Sequence, residues 1–468
     1  MKKNTKIVAT IGPVTESKEV LTELVKAGMN IARFNTKHST PDWHNDRIKR
    51  VREVSNELKT PVGVLLDLQG PEVRINLPGE ESFLLKAKDI LTFTSNQSST
   101  AERIAFIPQN VVESMSEGDL VLLDDGSCEF TIVKKGKDYF EAQAIHECKV
   151  GHRKTMNTPG VILDMPSLTD RDLDYINGID VDLLDYVGLS FVRDAEDIKA
   201  LKKVLDAKNA KSKIVAKIEN QAAIDNLDEI IAVSDAVMIA RGDLGVEVAF
   251  EQLVKWQHVI IAKCREAGKP VITATQMLKS MVSSPRPTRA EVSDVAHAIY
   301  DGTDAVMLSE ETTIGEYPVR AVATQAKIAN FNEPLIKDDF VCKRGDDKVS
   351  AIVRLIADVV KNEALKIDKV VVLTETGRTV QLLSRFRPST PIHAVTSTDI
   401  TYRTLALSYG VEPHIIKMVE GAELAVDELI DHLKKAGVVK SGDRIVMVHG
   451  KHWKKSGFTN TLSLLDIK

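Results

Sequence analysis

The chain has 468 residues, 43% of them apolar and 28% charged, with a formal net charge of -5 at pH 7. That balance excludes a disordered or low-complexity protein, and Lys and Arg scattered along the chain give no footprint for a nucleic-acid backbone. Four well-separated cysteines (Cys128, Cys148, Cys264, Cys342) fit neither a zinc site nor a disulfide-stapled secreted domain, and no run of about eighteen apolar residues offers a membrane span, so a cytoplasmic location is expected.

Short runs rich in Val, Ile and Leu recur along the chain with amphipathic segments between them, the pattern of strands buried on both faces in βα units. Eight are counted: Ile7–Ile11, Met29–Phe34, Val62–Leu66, Leu184–Leu189, Lys213–Ile218, Ala236–Ala240, Pro270–Ala274 and Ala305–Leu308. Eight such units suggest a (β/α)8 barrel. A helix from Lys18 to Ala27 is expected to stop at Gly28, and Thr288-Arg-Ala-Glu291 reads as a capping box opening another that ends at Asp301-Gly302. Strand starts follow one another every thirty residues or so, except that roughly a hundred separate the third from the fourth. That gap predicts an inserted small β-barrel lid over 69–168, with strands at Val73–Asn76, Ile90–Thr94 and Leu120–Leu123 and a hairpin of Phe130–Val133 with Tyr139–Ala142. The barrel then occupies 1–68 and 169–338. From 339 to 468 a separate α/β regulatory domain is expected, with a helix at Val349–Val360 and strands at Val370–Leu373, Ile392–Val395 and Ile445–Val448.

In such a barrel the working residues lie at the carboxyl ends of the strands. Strand two ends in Arg33 and Asn35, strand three in Asp67, strand five in Lys217 and Glu219, strand six in Arg241-Gly-Asp243, and strand seven in Thr273 and Thr275. Side chains alternate along a strand, so Lys217 and Glu219 face one way, as do Arg33 and Asn35. The carboxylates of Glu219 and Asp243 form a hard-oxygen site of the type Mg2+ accepts, and Arg33, Lys217 and Arg74 add the positive charge that phosphoryl transfer requires. Gly242 lets backbone N–H groups approach an anionic ligand.

The segments Lys6-Ile-Val-Ala-Thr-Ile-Gly-Pro13, Gly28-Met-Asn-Ile-Ala-Arg33, Lys217-Ile-Glu-Asn220, Ala240-Arg-Gly-Asp-Leu-Gly245, Thr273-Ala-Thr-Gln-Met277 and Pro285-Arg-Pro-Thr-Arg-Ala-Glu291 resemble pyruvate kinase. The likeness extends into the insert (Leu-Leu-Asp-Asp-Gly126, Asn157-Thr-Pro-Gly160) and the C-terminal domain (Phe458-Thr-Asn-Thr461). It implies transfer of a phosphoryl group from phosphoenolpyruvate to ADP in a homotetramer. By this resemblance Lys217, Arg33 and Thr275 are catalytic, and Arg33, Lys217, Gly242, Asp243 and Thr275 bind the substrate. Glu219 and Asp243 hold Mg2+ or Mn2+, while Asn35, His38, Arg74 and Lys154 contact the nucleotide. A monovalent cation, K+, would sit by Asn35, Asp67 and the carbonyl of Leu68. Here Lys37 replaces a serine of that site. Either its ammonium takes the ion's place and no added K+ is needed, or it points to solvent and the site survives.

Other departures are Gln69 for a lysine, Arg171 for a lysine that the resemblance assigns to the inserted domain, and Glu310 and Ile314 in Ser309-Glu-Glu-Thr-Thr-Ile-Gly315, which remove positive charge near the nucleotide. They motivate an alternative, a degenerate paralogue that senses phosphometabolites. Thr374-Glu-Thr-Gly-Arg-Thr379 forms an anion cradle at a helix start. The resemblance makes Thr374, Thr376, Gly377, Arg378 and Thr379 a seat for a phosphorylated effector, with Lys451, Lys454 and Lys455 adding charge.

Overall fold

The computed structural model describes residues 3–99, 101–336, 348–416, 426–450 and 459–468. Eight parallel strands close into a barrel in sequential order: β1 (Lys6–Thr10), β2 (Ile31–Asn35), β3 (Gly63–Asp67), β4 (Tyr186–Leu189), β5 (Lys213–Ile218), β6 (Ala236–Ala240), β7 (Val271–Ala274) and β8 (Ala305–Leu308). All eight expected strands are present, because an apolar run buried on both faces belongs to a strand walled by helices outside and packed side chains inside. The helices between them stop where the chain chemistry says they should. Lys18–Ala27 is capped by Ser17 and ends at Gly28 with φ 121°. The Thr288–Glu291 capping box is formed in both directions, and Gly302 ends that helix at φ 91°. Each cap of this kind contributes about 1 kcal/mol.

The amino end of the barrel is plugged. Ala406 and Leu407 pack with Val8, Ile31, Leu65, Tyr186 and Met238 in one apolar cluster, and the Tyr186 hydroxyl donates to the Thr404 carbonyl at 2.8 Å. Asp185, fully buried at this end, accepts from Arg52 and Arg403 at 2.7 Å each and from the Val64 amide at 2.8 Å.

Between β3 and β4 lies a sheet in the order Met156–Asn157, Leu120–Leu123, Cys128–Lys135, Tyr139–Ala144, Ile90–Thr94 and Ile104–Phe106. Residues 74–76 then bridge its two edges, Arg74 to Thr155 and Asn76 to Phe106, and so close the sheet into a small barrel. Phe93, Phe130 and Phe140 fill it, with Phe93 and Phe140 stacked at 4.9 Å. Thus Val73–Asn76 acts as a closing strap of isolated bridges instead of a regular strand.

The C-terminal sheet runs β11 (Val411–Ile415), β10 (Ile392–Thr396), β9 (Lys369–Leu373), β12 (Arg444–Gly450) and β13 (Thr459–Asp466), parallel apart from β13. The helix Lys348–Lys361 lies on it as expected.

Candidate active site

The carboxyl ends of the barrel strands and the inserted domain enclose a cleft of about 630 Å³. Its walls include Lys37, Glu72, Arg74, Lys154, Asp243 and Thr275.

Within electrostatic reach of Asp243 in its wall lies a buried charge cluster built from four strands. Arg33 at the end of β2 donates from Nε to Asp67 of β3 at 2.7 Å and forms an ion pair with the same oxygen through a terminal nitrogen at 2.6 Å. Its other terminal nitrogen donates to the Thr10 hydroxyl of β1 at 2.9 Å. From β5, Lys217 Nζ reaches Glu219 at 2.8 Å and Asp67 at 3.2 Å, and donates to the Ser190 hydroxyl beyond β4 at 2.6 Å. Ser190 passes the chain on to the Leu68 carbonyl at 2.7 Å, and Glu219 accepts from the Phe191 amide at 2.7 Å. Arg33 and Lys217 are therefore locked in place by partners that are themselves fixed, as preorganised electrostatic stabilisation requires.

Proton affinities follow the geometry. Burial works against the Lys217 ammonium, but the carboxylates of Asp67, Glu219 and Asp243 hold its pKa well above the usual lysine value. Asp67 is held low despite burial, by Lys217 and then Arg33. Asp243 goes the other way: burial and the nearby negative charge of Glu219 push it up to about 6. Two acids that repel each other in a low-dielectric wall form a donor set suited to a divalent cation, which relieves that repulsion when bound.

Beside them, the Thr275 hydroxyl accepts from the Gly242 amide at 2.8 Å. Thr275 and Gln276 have φ of 70° and 54°. A β-branched residue in the left-handed region is strained, and such strain persists only where surroundings enforce it. Arg241 enforces it here, donating to the carbonyls of Ala274 at 3.2 Å and Thr275 at 2.7 Å while its own position is fixed by Asp294. A Cβ on Gly242 would stand 3.6 Å from the Thr275 hydroxyl, an ordinary van der Waals contact that leaves the hydrogen bond between the two in place.

On the opposite wall Lys37 Nζ donates to Glu72 at 2.9 Å, and Arg74 Nε to the other oxygen of Glu72 at 3.0 Å. Burial raises Glu72, but Lys37 and Arg74 bring it below its ordinary value. The ammonium of Lys37 thus goes to Glu72, not to Asn35, Asp67 or the Leu68 carbonyl. Asn35 instead accepts from the Lys37 amide at 3.1 Å through its side chain. Lys154 of the inserted domain pairs with Asp124 of the same domain at 2.9 Å, and both line the cleft. His38 is exposed and does not line the cleft.

Glu310 contacts Lys279, and Ile314 is 61% exposed. The charge gained at 310 is therefore matched locally. Gln69 hangs from Asp172 by its amide at 3.0 Å. Arg171 belongs to the barrel and not to the insert: it opens the helix Asp170–Gly178 and donates to the carbonyls of Thr36 and Lys37 at 3.2 Å each.

In the C-terminal domain Gly377 adopts φ 84° and its amide donates to the Thr374 hydroxyl at 2.9 Å. Thr379 meets Thr459 at 3.1 Å, and Lys213 of β5 reaches the Thr376 carbonyl at 3.5 Å. Arg378 opens the short helix Arg378–Ser384. Lys451, Lys454, Lys455 and Phe458 lie outside the described residues.

Sequence reasoning missed Thr10, Ser190 and Glu72. Thr10 and Ser190 carry the strand-end signal used for the others, since each stands at the carboxyl end of a barrel strand. Glu72 sits two residues before Arg74, and only the fold turns it toward Lys37.

Comparison with known proteins gives a consistent answer. The family profile described as "Pyruvate kinase, barrel domain" matches residues 2–322, and "Pyruvate kinase, alpha/beta domain" matches 351–465. A pyruvate kinase of Dictyostelium discoideum is 38% identical over 478 aligned positions, covering 99% of this chain and 94% of that one. One from Geobacillus stearothermophilus is 40% identical over 476, covering 99% and 80%. The crystal structure of a pyruvate kinase from Cryptosporidium parvum superposes with a TM-score of 0.91 at 32% identity, covering 100% of this chain and 96% of that one.

Proposed function

The chain belongs to the pyruvate kinase family, a family of phosphotransferases that use a divalent metal, and from that premise we infer how its barrel mouth moves a phosphoryl group from phosphoenolpyruvate to ADP, giving pyruvate and ATP in the last step of glycolysis. The observation that carries the reading is the convergence of Arg33, Lys217 and Glu219 on one buried cluster around Asp67, with Asp243 close enough to Glu219 to feel its charge.

Glu219 and Asp243 are the residues that would hold Mg2+ or Mn2+; when bound, the ion supplies Lewis-acid stabilisation of phosphate and enolpyruvate oxygens. Arg33 grips the phosphoryl group with a guanidinium fixed by Asp67 and Thr10. Lys217 offsets charge on the group in flight and on the enolate it leaves behind. The Gly242 and Asp243 backbone, with Thr275, holds the substrate carboxylate. Because the Thr275 oxygen already accepts from Gly242, its own hydroxyl proton stays directed elsewhere, toward the enolate carbon in this reading. Asn35, His38, Arg74 and Lys154 meet the nucleotide. His38 reaches it from the rim, and Lys154 arrives when the 69–168 lid closes and expels water.

Lys37 is committed to Glu72 at the cleft wall and leaves Asn35, Asp67 and the Leu68 carbonyl to a K+ ion, which the enzyme on this account still uses. A phosphorylated effector would sit on the loop Thr374–Thr379, and the assembly is a cytoplasmic homotetramer. Among the described residues no helix is long and apolar enough to cross a membrane.

The test is a coupled assay of pyruvate release from phosphoenolpyruvate plus ADP, run with Lys217→Met alongside. Removing one preorganised charge contact lowers kcat by about 10²–10³-fold. Equal rates in the two proteins would reject the assignment.

A further inference from the structure

Away from the barrel mouth, the C-terminal sheet gathers a second set of metal-ligating side chains. On β10 and its edge neighbour β11, His393 stands in register with Glu412, and Val395 with His414. Parallel strands in register present paired residues on the same face, and residues two apart share that face. His393, Glu412 and His414 therefore emerge together. The two imidazoles stack at 5.1 Å with 28° between their planes, and His393 Nδ1 lies 2.9 Å from His414 Nε2. One ligand atom from each of the three residues lies within 4.8 Å of the other two. His393 is 7% exposed, and the other two are half-buried. Glu412 and His414 also line a groove of about 540 Å³ between β11 and the amino end of the barrel, which offers an entry path.

We propose that His393, Glu412 and His414 form a binding site for a divalent transition metal of the zinc class, separate from the oxygen site at the barrel mouth. Two imidazole nitrogens facing each other at 2.9 Å share one proton, one ring donating and the other accepting. A metal takes that proton's place. With bonds of about 2.0–2.1 Å in a tetrahedral arrangement, the nitrogens part only to about 3.3 Å, and the Glu412 carboxylate closes in by side-chain rotation. Two neutral imidazoles and a carboxylate leave one position open toward the groove, and nitrogen donors select Zn2+, Co2+, Ni2+ or Cu2+ over Mg2+. Bound there, the ion ties the edge strand β11 to β10 beside the junction with the barrel, where Lys6 Nζ of β1 donates to the Val411 carbonyl at 2.7 Å.

The experiment uses the full chain without an affinity tag, stripped of metal and then saturated with Mg2+ so that the barrel mouth is occupied. Zn2+ is titrated calorimetrically into the parent, His414→Ala and Glu412→Gln, and Co2+ is followed by its visible absorption. The parent is expected to bind one Zn2+ per chain that His414→Ala loses, with the Co2+ bands vanishing in parallel. Glu412→Gln, on the half-exposed edge strand, is expected to weaken that binding at least about tenfold. Both variants should keep the parent's Mg2+-supported turnover. Should His414→Ala fail to fold, Glu412→Gln decides alone. Unchanged Zn2+ stoichiometry and affinity in a folded variant, or no Zn2+ bound by the parent, overturns the proposal.

Discussion

Replacing Asp243 by asparagine should make the metal-free protein more stable while removing its activity. In the folded chain this carboxyl is pushed from 3.8 up to about 6 by burial and by Glu219. At about 1.4 kcal/mol per pH unit, keeping it ionised costs the fold about 3 kcal/mol. The sign follows from proton counting. Between pH 3.8 and about 6 the folded state holds a proton that the unfolded state has lost, so stability falls as pH rises through that window and levels off above it. Asp243→Asn carries no such charge. In EDTA it should exceed the parent by up to about 3 kcal/mol at pH 8 and by roughly half that at pH 5. Urea denaturation followed by the fluorescence of Trp43 and Trp256, which lie on barrel helices, reads the difference. Saturating Mg2+ should reverse the order, because only the parent gains binding energy from the ion. A variant no more stable than the parent at pH 8 in EDTA, or a gap that ignores pH, would refute the reasoning.

Two further outcomes follow. With Lys37 held by Glu72 and not at Asn35, Asp67 or the Leu68 carbonyl, the parent's rate should collapse in tetramethylammonium buffer and return with K+; a rate indifferent to K+ would contradict this placement. Asp185→Ala strands Arg52 and Arg403 at the plugged end of the barrel and should cost about 3–5 kcal/mol, read as a lowered melting temperature, with catalysis at the far end intact at low temperature.

The barrel was legible because its strands are continuous apolar runs, and a run of that kind has few other places to go in a chain of βα units. The same logic failed where strands are short or edge-bound. Phe83–Leu85, Cys148–Val150 and Met156–Asn157 are too brief to show a period. Strand β11 reads Val-Glu-Pro-His-Ile, in which a proline tolerated at a sheet edge and two polar side chains hide the pattern. Those polar residues are the ones that join His393 in the proposed metal site. At the barrel mouth, strand-end position alone placed Arg33, Asp67, Lys217 and Glu219, but not their connections. Asp67 was expected beside a monovalent ion; its carboxylate also bridges Arg33 and Lys217, a pairing set by neighbouring strands and invisible in spacing along the chain.

The reading of the barrel mouth rests on acids and cations acting together on one phosphorus atom. Phosphorus NMR of the protein with phosphoenolpyruvate, ADP and Mg2+ follows that atom directly. The account predicts that the phosphoenolpyruvate signal gives way to the terminal phosphate of ATP with the native chain, and at least about a hundredfold more slowly with Glu219→Gln. Transfer at the native rate by Glu219→Gln, or none by the native chain, would contradict it.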